Sequence, residues 1–161
     1  MTTHTPELHI EIDCQPMVLY IWDGSANWAG EEFPRSLGYH DTDGYIICFS
    51  IDTPESLDNV TERWMPEVKH FMAPDAPVFL VGCKHDLRKV EVGSSSQAVG
   101  QNLVSHERGA AVAQSIKARL YLECSTTTGE GVHEVLLHVS KAVKSHKSPT
   151  SLRNKNGCII A

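Results

Sequence analysis

Short apolar runs alternate with amphipathic stretches along this chain, and the alternation predicts a layered α/β domain. Leu8 to Asp13 alternates and Met17 to Trp22 runs apolar; together they bracket Cys14-Gln15-Pro16 and read as a hairpin. Tyr45 to Ser50, Val78 to Cys83 and Leu120 to Cys124 are apolar runs of buried-strand length. Between them the period lengthens: Leu57, Val60, Trp64, Val68 and Phe71 recur at helical spacing, behind Asp52 and Glu55 at the spacing of a capping box. Val132, Val135, Leu136, Val139 and Val143 form one apolar stripe that begins just after Gly129-Glu130-Gly131. Strands alternating with helices imply a mostly parallel sheet with right-handed crossovers.

Composition narrows this picture. At 161 residues and 41% hydrophobic content the chain can bury one core, and no linker or repeat divides it. None of the five cysteines lies in C-x-x-C spacing, which argues against a zinc site or a disulfide framework. Cys14, Cys48, Cys83 and Cys124 lie in or beside the predicted strands and read as buried, reduced thiols, in keeping with a reducing cytosol. The nine histidines are scattered, and His133 and His138, five apart on the last helix, do not share a face, so no metal site is expected. Met1 to Pro6 has neither a basic start nor an apolar run, so secretion and mitochondrial import are not expected, and no stretch is long enough to span a bilayer. An acidic body without a basic, aromatic surface argues against nucleic acid as a partner.

Two segments carry the candidate chemistry: Val81-Gly82-Cys83-Lys84-His85-Asp86-Leu87-Arg88 and Glu123-Cys124-Ser125. In a doubly wound α/β protein, ligands sit where the carboxyl ends of parallel strands meet the following loops, so both segments are placed to hold a ring. Asp86 can accept two hydrogen bonds from a guanine edge, Lys84 can lay its aliphatic stem over the base, and the backbone after Ser125 can donate to the exocyclic oxygen. The same groups can equally serve as loop caps. No G-x-x-x-x-G-K-[ST] loop, whose backbone N–H groups would cradle phosphates, occurs in the sequence.

A family resemblance becomes specific over Asp41-Thr42-Asp43, Cys48-Phe49-Ser50-Ile51-Asp52, Pro54-Glu55-Ser56-Leu57 and Trp64-Met65-Pro66-Glu67-Val68-Lys69-His70-Phe71. These runs resemble the middle of a Rho-type small GTPase, and the likeness extends from about Leu8 to Ala161. The polar stretch between Asp86 and Gly109, which includes Ser94-Ser95-Ser96, is similar in length to the insertion that separates Rho from Ras and Rab proteins. The resemblance implies a small-GTPase-like fold of P-loop NTPase type, with GTP or GDP and Mg2+ as the family's ligands. It further implies that the chain starts near the end of the family's first switch loop and lacks the first strand, phosphate loop, first helix and switch threonine. The expected organisation is an incomplete domain over residues 1–146, with the insertion at about 88–108, and a basic tail over 147–161.

In family members the first strand lies mid-sheet, between the counterparts of Met17–Trp22 and Tyr45–Ser50. Without it two strand edges face a gap, and each unpaired buried backbone group costs about 1–3 kcal/mol. The expectation is therefore either closure into a five-stranded sheet or a marginal fold.

The resemblance also marks departures. Where the family has a strand-terminal Asp-x-x-Gly followed by the catalytic glutamine, this chain runs Trp22-Asp23-Gly24-Ser25-Ala26-Asn27-Trp28-Ala29-Gly30-Glu31. One alignment keeps Asp23 for a magnesium-bound water and puts Ala26 at the glycine; the other keeps Gly30 and puts Glu31 at the glutamine. Asp23 and Gly30 are thus candidate phosphate and magnesium remnants, no residue is assigned a catalytic role, and a carboxylate at the glutamine position would repel the γ-phosphate. Asn-Lys-x-Asp becomes Cys83-Lys84-His85-Asp86, and Ser-Ala-Lys becomes Ser125-Thr126-Thr127, leaving Lys84, Asp86 and Ser125 as the base-binding remnant.

The carboxyl terminus, Cys158-Ile159-Ile160-Ala161, matches the C-a-a-X prenylation pattern, with Cys158 as the acceptor. All 20 acidic residues and nine of the 14 Lys and Arg precede residue 135, so the net charge of −6 divides into −11 before that point and +5 after it. A lipid chain and a basic segment together can anchor to an anionic membrane surface. The expected location is the cytoplasmic face of a membrane with a cytosolic pool, and the expected partners are regulators of Rho proteins and prenyl-binding chaperones. Three readings stay open: a non-catalytic, membrane-tethered pseudo-GTPase in signalling, an active GTP switch whose sequence is truncated or mis-spliced, and an unstable product of a decaying gene.

Overall fold

The computed structural model describes residues 7–24, 39, 42–73, 75–88, 102–146 and, for backbone only, 157–160. Six strands, β1 (Glu7–Ile12), β2 (Gln15–Asp23), β3 (Gly44–Ser50), β4 (Val78–Cys83), β5 (Leu120–Cys124) and β6 (Gly157–Ile160), form one sheet in the order β1-β2-β6-β3-β4-β5. Only β1 is antiparallel to its neighbour; β2, β6, β3, β4 and β5 run parallel.

The hairpin forms as the alternation predicts, but its turn is one residue earlier than expected. Ile12 pairs with Gln15, and Asp13 and Cys14 between them both have positive φ, 54° and 57°. Two left-handed residues in a two-residue loop match the twist of the flanking strands, and aspartate tolerates that region. Pro16 therefore lies inside β2, opposite Glu11. Antiparallel alternation turns its missing donor away from β1, toward a side where β6 begins only at Tyr20. Cys14, expected to be buried, is exposed at this turn.

Alternate residues of β3 and β4 supply two cores. Tyr45, Ile47 and Phe49 with Val78 and Leu80 face one layer, which holds Leu57, Val60, Val68, Val104 and Ala113. Ile46, Phe79 and Val81 face the other, packed against Val135, Val139, Ala142 and Val143. The first layer contains α1 (Pro54–Asn59), a π-helical turn (Val60–Trp64), α2 (Met65–Phe71) and α3 (His106–Ser115); the second contains α4 (Val132–His146). The apolar stripes at Leu57 to Phe71 and Val132 to Val143 are the buried faces. The π turn sits just ahead of Pro66, whose ring would otherwise collide with the carbonyl four residues back; the Met65 N–H donates to Val60 O instead.

The capping box is not formed. Thr53 is the N-cap of α1 and makes no side-chain cap bond. Asp52 is drawn off by Lys84, Ser50 and Thr53, whose donors outcompete a helix terminus one residue away.

β2 and β3 do not close on each other. The position between them, which the resemblance assigns to the family's first strand, is held by β6. Tyr20, Ile21, Trp22 and Asp23 pair with Gly157 to Ile160 on one side, and Gly44, Tyr45 and Ile46 pair with Cys158 to Ile160 on the other. The five-stranded closure expected from the sequence is thus replaced by a six-stranded sheet. A central strand satisfies both exposed edges at once, which direct closure would achieve only by moving the cores.

Candidate functional site

The carboxyl ends of β3, β4 and β5 lie along one edge of the sheet, and the loops that follow them bring the sequence-predicted groups together. Ile51 N–H donates to Cys83 O at 3.0 Å, and Ile51 O accepts from Val104 N–H at 2.9 Å, so the exit of β3 is fixed to the exit of β4 and to the start of the α3 segment. Lys84 leaves β4 with φ of 63°, and the chain turns into a short 3-10 helix, His85–Arg88, closed by Leu87 N–H on Lys84 O.

Lys84 Nζ donates to Asp52 Oδ2 at 2.8 Å, so its side chain bridges from the end of β4 to the end of β3. Asp52 also accepts from Ser50 Oγ and from Thr53 Oγ1. The hydrogen bond from Lys84, followed by that from Ser50, holds the Asp52 carboxyl down at about 2.

Asp86 Oδ1 is buried with no hydrogen-bond partner. A buried acceptor left in this state costs about 1–3 kcal/mol, and its natural remedy is an N–H from a bound ring. Beside it, His85 Nε2 approaches Glu130 Oε2 at 3.5 Å, linking the β4 loop to the β5 loop whenever the imidazole carries both protons.

Ser125 is fully buried. Its N–H donates to Glu130 O at 2.9 Å, its carbonyl accepts from Gly129 N–H at 2.9 Å, and its Oγ accepts from Thr128 N–H at 3.2 Å. All these bonds lie within its own loop, which is how a loop cap behaves. The loop re-enters α4 through Gly131, where φ is 77° and a Cβ would meet Glu123 O at 2.3 Å, so only glycine fits.

Two features of the site were not legible from spacing. Cys83 stands in register with Ser50 on one side and Cys124 on the other, and Cys48, Cys83 and Cys124 all pack into the same core from three neighbouring strands. The neighbouring Cys124 thiol favours a Cys83 thiolate, but the Cys48 thiol and burial together outweigh it and push the Cys83 thiol up to about 12. Cys124 is pushed up as well, by the Cys83 thiol and by burial. Cys83 and Cys124 are neutral thiols, not nucleophiles.

Arg88 is the second feature. Its Nη1 donates to Glu123 Oε2 at 2.5 Å, while Nε and Nη2 both donate to Val104 O. Tyr121 Oη donates to the other Glu123 oxygen at 2.5 Å. Burial alone would raise Glu123, but Arg88 and Tyr121 hold its carboxyl below the usual range. This pair clamps the base-side loop to β5. Only the charges were visible in the sequence, because the partners are 35 residues apart.

Asp23 ends β2 at the same edge, opposite Ile160 of β6. Gly30, the serine run at 94–96 and most of the insertion lie outside the described residues. Cys158 is described by its backbone alone, in β6. Among the described residues no cluster of three His, Cys, Asp or Glu side chains could hold a metal ion, and no helix is long and apolar enough to cross a membrane.

Lys84, Asp86 and Ser125 thus stand on the loops that follow β4 and β5, where Asp86 Oδ1 and His85 Nε2 are both buried without a hydrogen-bond partner. A family model described as the Ras family matches residues 2–145. The "Rho-related GTP-binding protein RhoB" of Homo sapiens, and those of Mus musculus and Rattus norvegicus, are each 41% identical over 151 residues, spanning 93% of this chain and 74% of the relative.

Proposed function

Because this chain belongs to the Ras family of small GTPases, in its Rho branch, we propose that it is a membrane-tethered Rho-type signalling module that has lost tight nucleotide binding and hydrolysis. The observation that carries the proposal is the state of the base-side loops. Lys84 is engaged by Asp52, the Ser125 groups are spent within their own turn, and a thiol at Cys83 replaces the family's asparagine carboxamide.

GTP as a whole does not fit the residues present. Asp86 suits a guanine edge, but a thiol cannot supply paired donor and acceptor groups, and the sequence contains no phosphate-cradling G-x-x-x-x-G-K-[ST] loop. The basic carboxyl-terminal segment and the C-a-a-X pattern at Cys158 support anchoring at the cytoplasmic face of an anionic membrane, with prenyl-binding chaperones and Rho regulators as partners.

A second reading is favoured by Asp86 itself. An acceptor left buried and unpaired is what an intact guanine pocket retains between ligands, and it fits a GTP-binding, GTP-hydrolysing switch in which a phosphate loop is supplied by further sequence.

Titration with a fluorescent guanine nucleotide, and the intact mass of the endogenous protein from the membrane fraction, separate the two. No saturable binding at micromolar nucleotide, with a mass equal to the chain trimmed after Cys158 plus one prenyl group, supports the first reading. Nanomolar binding, or a mass several kilodaltons above 17.8 kDa, overturns it in favour of the second. Unchanged membrane fractionation of Cys158→Ser overturns lipid anchoring under either.

A further inference from the structure

Three of the four residues of the C-a-a-X pattern, Cys158, Ile159 and Ile160, lie in the central strand β6. β6 spans Gly157–Ile160 and is paired on both edges, with β2 through Tyr20 to Asp23 and with β3 through Gly44 to Ile46. A Gly-Cys-Ile-Ile run suits that place, since strands inside a parallel sheet are apolar on both faces. The connection is feasible as well. α4 ends next to the edge where β2 and β3 begin: Lys144 Nζ donates to Ile12 O at 3.0 Å, and Val143 lies 2.9 Å from where a Cβ on Gly44 would be. Residues 147–156 can span up to about 33 Å, enough to turn back into the sheet.

We propose that docking of Gly157–Ile160 between β2 and β3 and lipid modification of Cys158 are mutually exclusive, so that the sheet holds the tail as an internal inhibitor of its own membrane anchoring. The inference rests on the reading of Cys158 as a prenyl acceptor. In the modification, the Cys158 sulfur displaces diphosphate from the allylic carbon of a prenyl diphosphate; a thioether forms, diphosphate leaves with the bonding pair, and the thiol proton passes to solvent. The transferase must hold the terminal residues as a free extended segment. A backbone hydrogen-bonded on both edges within a sheet cannot occupy a second cleft, so modification proceeds only from the released fraction. Once lipid-bearing, the tail stays out, and the edges of β2 and β3 that it paired are left without that partner.

The test compares prenyl transfer, by a purified transferase and prenyl diphosphate, to the full chain and to a synthetic peptide of residues 147–161. The peptide is expected to be modified at least about tenfold faster, because the released fraction sets the apparent rate. Trp22→Pro removes a donor that strand alternation points at β6 and leaves the β1 pairing, which ends at Tyr20, untouched. It should bring the full chain to within about twofold of the peptide. Equal rates for the unaltered chain and the peptide overturn the inference. An unmodified peptide overturns the lipidation reading, and the inference with it.

Docking is read separately by Ile21→Cys in a Cys14→Ser background. Ile21 is the register partner of Cys158, so diamide, which takes up the two thiol hydrogens, should link residue 21 to Cys158 and stop prenyl transfer until the disulfide is reduced. No such link in the folded chain overturns the docked strand whatever Trp22→Pro does.

Discussion

The two sides of the sheet are joined by different means. β3, β4 and β5 are consecutive parallel strands; six register pairs join β3 to β4 and five join β4 to β5, with helical layers packed on both faces. Among the described residues, the β1–β2 hairpin is joined to that block by β6, by α4 and by the core cluster that holds Leu19 with Ile46 and Phe79. β6 gives it four pairs, drawn from the far end of the chain. α4 gives it Lys144 on Ile12 O and the packing around Leu19, which is fully buried in the same cluster as Ile46, Phe79, Val139 and Val143. The loops that carry Lys84, Asp86 and Ser125 belong to the consecutive block, whereas Asp23 belongs to the hairpin side. The block built from neighbouring strands holds its loops through consecutive pairing, whereas the hairpin side takes its β6 partner from a distant segment.

The harshest way to break this arrangement is to attack the helix that serves both sides. Val143→Asp would bury an unpaired charge at a fully inaccessible position; it should cost about 3–5 kcal/mol or more and abolish the cooperative urea transition. A retained transition would mean that α4 does not join the two sides.

Leu19→Ala should cost about 2–5 kcal/mol in urea denaturation, as expected for a fully buried leucine. The loss should appear first as proteolysis within the hairpin, with cleavage near the β4 and β5 loops unchanged. Early cleavage at both places would erase the distinction drawn between the sides.

Deletion of residues 157–161 sharpens the comparison most directly. Amide exchange in β2 and at Gly44 to Ile46 should accelerate by about tenfold or more, because both edges lose their partner strand, while amides shared by β4 and β5 hold their protection. A uniform acceleration across the sheet would show that β6 acts on the whole fold instead of on one joint.

The smallest effect belongs to the Lys84–Asp52 bridge. Its lysine is half exposed, so Asp52→Ala should change stability by no more than about 1 kcal/mol. Asp52 is depressed in the folded chain, so its contribution is complete above the ordinary value of 3.8 and fades as pH falls toward about 2. Chemical-shift titration of the Asp52 carboxyl reads this; a midpoint near 3.8 would mean that the bridge does not form in solution.

Much of this molecule could be read from its residues. The limits of β4 and β5, the buried stripe on α4 and the clustering of Lys84, Asp86 and Ser125 at one sheet edge follow from period, strand length and the geometry of parallel sheets. The hairpin was legible, but its turn was not placed, because Cys14-Gln15-Pro16 looks like a breaker while Asp13-Cys14 takes the left-handed conformations. Asp52 and Glu55 have capping-box spacing, yet a lysine 32 residues away decides where the carboxylate points.

Sequence alone determined the family, the α/β layering and the chemical character of each loop, since these depend on local period, on residue type at fixed offsets and on runs of recognisable motif. Only the tertiary structure decided that Asp86 Oδ1 is buried without a hydrogen-bond partner, that three cysteines pack into one core, and that Gly157 to Ile160 form a central strand. Those outcomes depend on which distant groups compete for the same hydrogen bonds. A Gly-Cys-Ile-Ile segment carries the same local signal whether it waits for a lipid or completes a sheet, and the open edges of β2 and β3 determine which it does.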